Sequence, residues 1–334
     1  MVERLKLILK SPGAQLIGWI TIGGCLLFLA LRQVEPDEIW RLLRQAQPGY
    51  IFLALFSVGI NTLAKAARWQ GMLTTFGPRP ELGQSLAALV IGQVMNWFIP
   101  GRVGDVGRAY VIGNVGFSRS FALGTILLEK VLDMFCYLLV FLFILMMAPL
   151  PEIVSQSGYF LTAVTLLLTG AVFIVSRNLE AFIRITRSVQ MWVPERLRLL
   201  TSPRIETALQ SLWILRDAGG LTRLGLWSCL IWSTSVWTNH LVLLSLRVHL
   251  SLLASLAILV VVLAGVSIPS VPGRFGVFQY LCILTLSLFN VNPTIGLSYG
   301  ILLQAIVFLP AILYSLVLTG IFGVKPLFDE GAEG

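Results

Sequence analysis

The sequence predicts an all-α polytopic membrane protein, and three observations predict it. Hydrophobic residues make up 57 % of the 334 and charged residues only 12 %, whereas a soluble domain carries roughly 25 % charge. Such a chain cannot cover a water-facing surface. The apolar residues fall in long runs of spanning length, not in short alternating strands, which argues against a barrel. The Lys and Arg residues fall mostly between those runs, where membrane orientation requires them. The formal net charge of +8 therefore reports topology, and no nucleic-acid partner is expected. Cys25, Cys136, Cys229 and Cys282 lie inside apolar runs without a C-x-x-C, so neither a disulfide framework nor a metal site is indicated, and no cofactor is expected.

Taken in order, residues 14–31 are an apolar run preceded by Arg4, Lys6 and Lys10. No small-x-small cleavage site follows it, so it reads as a retained first span and not a signal peptide. Residues 35–47 mix acids, arginines and apolar residues as a short interfacial helix does. Residues 49–64 are the second span, closed by Lys65, Arg68 and Trp69 as a basic and aromatic anchor at the headgroups. Residues 82–99 run into a polar break, and 108–117 leave it, too short to cross. Residues 120–148 and 159–176 are further spans. Residues 177–223 carry eight arginines with apolar residues at helical spacing, which predicts amphipathic helices lying on the membrane. Residues 224–246 span. Residues 252–271 enter a second break, 276–291 leave it, and 294–322 form the last span, kinked or relieved at Pro310.

The two breaks share a pattern. The first runs from Asn96 through Pro100, Gly101, Arg102, Gly104 and Asp105 to Arg108; the second reads Pro272, Gly273, Arg274, Phe275, Gly276. Both contain P-G-R-x-G directly after an apolar run. If each break is the tip of a re-entrant hairpin, 16 Lys and Arg lie on the inner side and 4 on the outer, as the positive-inside rule demands. The chain is then one integral membrane domain over residues 1–334, with about six full spans and two Pro/Gly-broken hairpins. Its halves, about 14–148 and 159–322, form an inverted repeat, an architecture in which paired broken segments mark a transport site. The alternative makes the breaks ordinary loops between full spans.

Arg102 and Arg274 are the first candidates for binding. Arginine at membrane depth costs at least about 2.5–3.5 kcal/mol and calls for a partner. Its planar fork suits a phosphate, so a membrane lipid is the expected ligand, with Asn96 and Arg108 nearby in the chain. Arginines snorkelling from interfacial loops are the competing reading. Glu129 and Asp133 lie on one helix face at i, i+4, near mid-bilayer, facing Lys130 or an arginine of a break, with Asp105 and Arg108 in the same network. A counter-ion or proton role and a structural salt bridge both fit. No catalytic motif or nucleotide loop is present, so no enzyme activity is expected.

Arg68-Trp69, the N-x-x-x-P-x-R-x-G-D-x-x-R run of residues 96–108, Glu129-Lys130-x-x-Asp133 and Pro269-x-x-Pro272-Gly273-x-x-Gly276 resemble the flippase-like membrane region of lysylphosphatidylglycerol synthases. The likeness covers nearly the whole chain. It departs at the second break, where Arg274 and Gln279 stand in place of the P-G-G-x-G with a nearby acid more usual in that family, which bears on substrate identity. The resemblance implies a stand-alone member without the soluble synthase domain: a lipid flippase or transporter of the inner or plasma membrane, both termini cytoplasmic. A non-transporting partner of a lipid-modifying or glycosyl-transferring enzyme is the alternative, and an oligomer is left open.

The topology is testable with single cysteines in a cysteine-free background and an impermeant thiol reagent. Positions 154–157 are expected to label from outside and 195–205 only from inside; the reverse pattern overturns the orientation.

Overall fold

The computed structural model describes residues 34–74, 80–99, 102–147, 152–190, 204–266 and 275–322, with Thr21, Gly24, Cys25 and Phe28. The first expected span, 14–31, otherwise lies outside the described residues. Among the described residues every regular element is helical, as the composition requires.

The first labelled helix, α1 (Pro36–Gln45), is the expected interfacial segment. Pro36 opens it, Asp37 and Glu38 occupy its first turn and Arg44 its last, each at the end the helix dipole favours. The next four helices are α2 (Pro48–Leu73), α3 (Leu82–Phe98), α4 (Val103–Gly113) and α5 (Arg119–Met147). Then come α6 (Glu152–Arg177) and α7 (Leu179–Gln190), a helical stretch over 204–215, and α8 (Ala218–Ser245). The last three are α9 (Leu252–Val266), α10 (Val277–Ser287) and α11 (Pro293–Phe322). Five of these, α2, α5, α6, α8 and α11, have 26 to 30 residues. At 1.5 Å per residue each exceeds the roughly 30 Å of bilayer hydrocarbon. Helices α2, α5 and α11 are also apolar enough to cross, and α6 passes together with α7, to which it bends by 95°. The bend falls at the start of the arginine-rich 177–223 segment. Helix α8 is long enough but more polar, and its Thr234, Thr238 and Asn239 are hydrogen-bonded to side chains of other helices. Helix α11 runs unbroken through Pro310.

The described chain forms two compact units. One holds residues up to Val58, Val94–Val103 and Ser235–Ala311; the other holds Gly59–Gln93, Gly104–Thr234 and Ile312 onward. The first has a core of Val242, Leu243, Ile258, Cys282, Leu286 and Tyr299. The second is built around Trp69, Met72, Ile112, Ala122 and Ile126.

A four-helix pattern occurs twice. Helices α2, α3, α4 and α5 have 26, 17, 11 and 29 residues; α8, α9, α10 and α11 have 28, 15, 11 and 30. Corresponding side chains meet in both copies. In the first, Lys130 Nζ lies 3.3 Å from Asp105 Oδ1; in the second, Gln279 Nε2 donates to Gln304 Oε1. Each pair joins the third residue of the 11-residue helix to the twelfth of the helix that follows. Likewise the seventh residue of that last helix is bonded to a side chain near the end of the copy's first long helix: Trp69 Nε1 donates to Thr125 Oγ1, and Tyr299 Oη donates to Asn239 Oδ1.

In the first copy α3 and α4 are packed together as a hairpin. A Cβ at Gly92 would sit 2.6 Å from the Gly104 carbonyl oxygen and 2.9 Å from Arg108 Cβ, so only a residue without one allows this approach. Gly92→Ala is expected to lower stability by about 1–3 kcal/mol through overpacking. Gly170, on α6, has nothing within 4 Å of its Cβ direction, so Gly170→Ala should be neutral or stabilising by up to about 1 kcal/mol. Thermal unfolding of the purified variants in detergent checks both.

Candidate functional site

Helix α5 carries Glu129, Lys130 and Asp133 about ten residues or more from its start, at a depth where carboxylates need partners. Two neighbouring helices supply them, and a third holds one of the arginines in place. From α4, Arg108 Nη1 and Nη2 donate to Glu129 Oε1 and Oε2 at 3.2 and 2.8 Å, the parallel two-bond geometry that a guanidinium makes best. From α2, Arg68 Nη2 lies 2.7 Å from Asp133 Oδ1 and 3.8 Å from Glu129 Oε1. From α8, Ser228 Oγ accepts from Arg68 Nη1 at 3.0 Å. Arg68 is 0 % exposed, Arg108 4 % and Glu129 5 %, so these are protein-buried charges. The Arg108 guanidinium lies 3.7 Å over the Trp69 ring, and the Trp69 indole is fixed by its bond to Thr125. Lys65, three residues before Arg68, is within electrostatic reach of Asp133 and Glu129. The Asp105–Lys130 pair borders this network.

This corrects the sequence reading of α2. The helix does not close near Ala64 with Lys65, Arg68 and Trp69 as headgroup anchors; it continues to Leu73, and Arg68 and Trp69 are wholly buried. The structure brings Asp105, Arg108, Glu129, Lys130 and Asp133 together. It pairs Arg108 with Glu129 within the protein, and Lys130 with Asp105 instead of with the acids on its own helix.

The two breaks are placed by aromatic contacts. Trp97, in the last turn of α3, stacks on Phe308 of α11 with ring centroids 3.8 Å apart; Phe275, at the end of the second break, meets the same ring edge-on at 6.5 Å. Both breaks therefore converge on Phe308 within one compact unit. Arg102 is exposed and has φ of 55°, a left-handed conformation that costs a non-glycine residue energy. Asn96 is half-buried in the last turn of α3. Gly276, with φ of 83°, precedes α10, and its N–H donates to Gln279 Oε1 at 2.8 Å. Gly104 is at the α3–α4 close approach. Pro100, Gly101, Pro272, Gly273 and Arg274 lie outside the described residues. Ser228 and Phe308 were not singled out from sequence; nothing in their spacing marks them, because each is brought in by a distant helix.

The model of the lysylphosphatidylglycerol synthase TM region matches residues 15–314. A UPF0104 membrane protein of Methanothermobacter thermautotrophicus is 23 % identical over 321 residues, 90 % of this chain and 92 % of that protein. Glycosyltransferase AglD of Haloferax volcanii is 29 % identical over 122 residues, 34 % of this chain. The matched stretch spans only 19 % of AglD.

The buried pair sets an expectation for stability. Glu129→Ala leaves Arg108 without its acceptor and should cost about 3–5 kcal/mol, as breaking a buried ion pair does. Arg108→Ala should cost a similar amount. The double variant should lose less than the sum, since the second substitution removes an already orphaned charge. Thermal unfolding of the three variants in detergent measures the coupling.

Proposed function

The chain belongs to the family of the lysylphosphatidylglycerol synthase transmembrane region, and from that premise we propose that it moves a phosphate-bearing lipid between the leaflets of the cell membrane. On this reading both termini are cytoplasmic and the chain is a carrier, not an enzyme. The observation that carries it is the convergence of the two broken segments on Phe308. Broken helices are tolerated at membrane depth where they line a cavity or are buried in protein, and paired breaks in two repeated halves are where transporters bind their cargo.

Arg102 and Arg274 then grip the headgroup phosphate together, one from each break. Arg102 is exposed and immediately precedes α4, whose first amides point their N–H groups out of the helix. Arg274 is next to Phe275 in the chain. The duplicated helix pattern supports an inverted repeat, in which one copy rocks against the other around the bound headgroup. The Arg68–Asp133 and Arg108–Glu129 pairs tie the second half of α2 to α4 and α5 within the second compact unit.

Liposomes containing the purified protein should move a headgroup-labelled anionic phospholipid between leaflets without nucleotide, with or without an imposed ion gradient. Arg102→Lys and Arg274→Lys keep the charge but lose the fork, and each should slow transport while the protein stays folded. Arg→Ala should weaken headgroup binding further, by about 1.5–3 kcal/mol for a lost charged hydrogen bond. Lysine variants equal to wild type at both positions overturn the clamp. The short match to a glycosyltransferase favours a second reading, a non-transporting partner of such an enzyme. Absence of movement with every lipid, together with stable capture of an enzyme partner, decides for it.

A further inference from the structure

One cavity in the second compact unit belongs to neither break. It has a volume of about 490 Å³ and is lined by the end of α2 (Arg68, Gly71, Thr74), the 3₁₀ turn Ser211–Leu215 (Trp213, Ile214) and the start of α8, from the preceding Asp217 to Trp227. Arg68 is committed to Ser228 and Asp133, so the other residues give the cavity its character. Trp213, Ile214, Leu224 and Trp227 form apolar walls, and Arg223 adds a positive charge. A second guanidinium, that of Arg216, lies 4.5 Å over the Trp213 ring. Both arginines are exposed, and each donates to a backbone carbonyl, Arg223 to Gly219 at 3.4 Å and Arg216 to Arg177 at 3.5 Å. Neither forms an ion pair among the described residues. The one acid in the lining, Asp217, is already engaged: its carboxylate accepts the Gly219 and Gly220 N–H groups at 3.3 and 2.7 Å, capping α8. Two indoles beside two guanidiniums without carboxylates suit an occupant that carries an apolar side chain next to acids.

The chain itself carries such a segment. Past α11, residues 323–334 contain Leu327-Phe328-Asp329-Glu330 and Glu333, three acids against one base, Lys325. They lie outside the described residues. Helix α11 begins beside the end of α8, where Tyr299 Oη donates to Asn239 Oδ1, and from Ile312 onward it belongs to the compact unit that holds the cavity. Phe328 follows Phe322, the last residue of α11, by six positions, a reach of up to about 20 Å. We propose that this acidic segment docks in the cavity, with Leu327 and Phe328 against Trp213 and Trp227, and with Asp329 and Glu330 paired to Arg216 and Arg223. An aromatic ring seated in an apolar pocket is the usual anchor of such a contact. The flanking carboxylates then meet guanidiniums, which hold them by parallel N–H bonds. Tethering to α11 sets the effective concentration of the segment at about millimolar, so individually weak pairs suffice. Docking fastens the end of α11 to α2 and α8, and it requires neither bound lipid nor translocation.

The test is disulfide trapping in the full chain, cysteine-free apart from the introduced pair, purified in detergent and treated with a mild oxidant. Gly71 lines the cavity with nothing within 4 Å of its Cβ direction, so Gly71→Cys is combined with Leu327→Cys. Gly49, at the start of α2, is equally open, and Gly49→Cys with Leu327→Cys is the comparison. A disulfide within one chain, forming at least about tenfold faster for the Gly71 pair, is the expected result. Arg216→Glu with Arg223→Glu changes only exposed side chains. It should slow trapping at least about fivefold while thermal unfolding is unchanged, and adding Asp329→Arg with Glu330→Arg should restore the rate. No disulfide, equal rates for the two pairs, or a disulfide formed only between two chains overturns the docking. A rate that ignores both charge reversals overturns the pairing with Arg216 and Arg223.

Discussion

The second compact unit depends on the carboxylate of Glu129 and the two guanidiniums beside it. A charge on a spanning helix is tolerable only when its partners arrive with the fold. Here they come from two other helices, Arg108 on α4 and Arg68 on α2. Much of the local architecture follows from this. Helix α2 runs on past Ala64 so that Arg68 can reach α5. Trp69 lies flat under the Arg108 guanidinium and is anchored to α5 through Thr125. Helices α3 and α4 approach at a pair of glycines, with Arg108 Cβ against the same spot, which brings α4 close behind the arginine it presents.

The duplicated pattern shows how one scaffold accommodates two chemistries. The position filled by the Asp105–Lys130 pair in the first copy holds Gln279 and Gln304 in the second. The ionic pair is half-exposed, with side chains 20 % and 36 % accessible; the two glutamines are 5 % and 6 % exposed. Where water is excluded, a neutral amide pair keeps the cross-helix hydrogen bond without the desolvation cost of two charges. Arg108 and Glu129 correspond in the same register to Cys282 and Leu303, both in an apolar core. Charge is thus concentrated in one copy and absent at the matching positions of the other.

The breaks are organised differently. Described residues that flank them are joined by aromatic contacts. Trp97 and Phe275 reach Phe308 from two separate segments. A shared ring between them fixes their spacing while leaving Arg102, exposed and left-handed, at the surface of the described chain.

The class, the helix order and the shared face of Glu129 and Asp133 were legible in the sequence because they are local. Apolar run length sets which helices can cross, and i, i+4 spacing puts Glu129 and Asp133 on one face whatever surrounds them. The end of α2 was misread because Lys65, Arg68 and Trp69 next to an apolar run have the composition of a headgroup anchor, and composition does not say whether water, lipid or protein faces a side chain. That is decided by α4, α5 and α8, which arrive from 40 to 160 residues away. The partners of Glu129, the role of Ser228, the cavity beside Arg68 and the meeting of both breaks at Phe308 are likewise products of tertiary packing. Sequence spacing fixes neighbours along one helix, but which helices lie side by side depends on how the whole chain buries its polar groups.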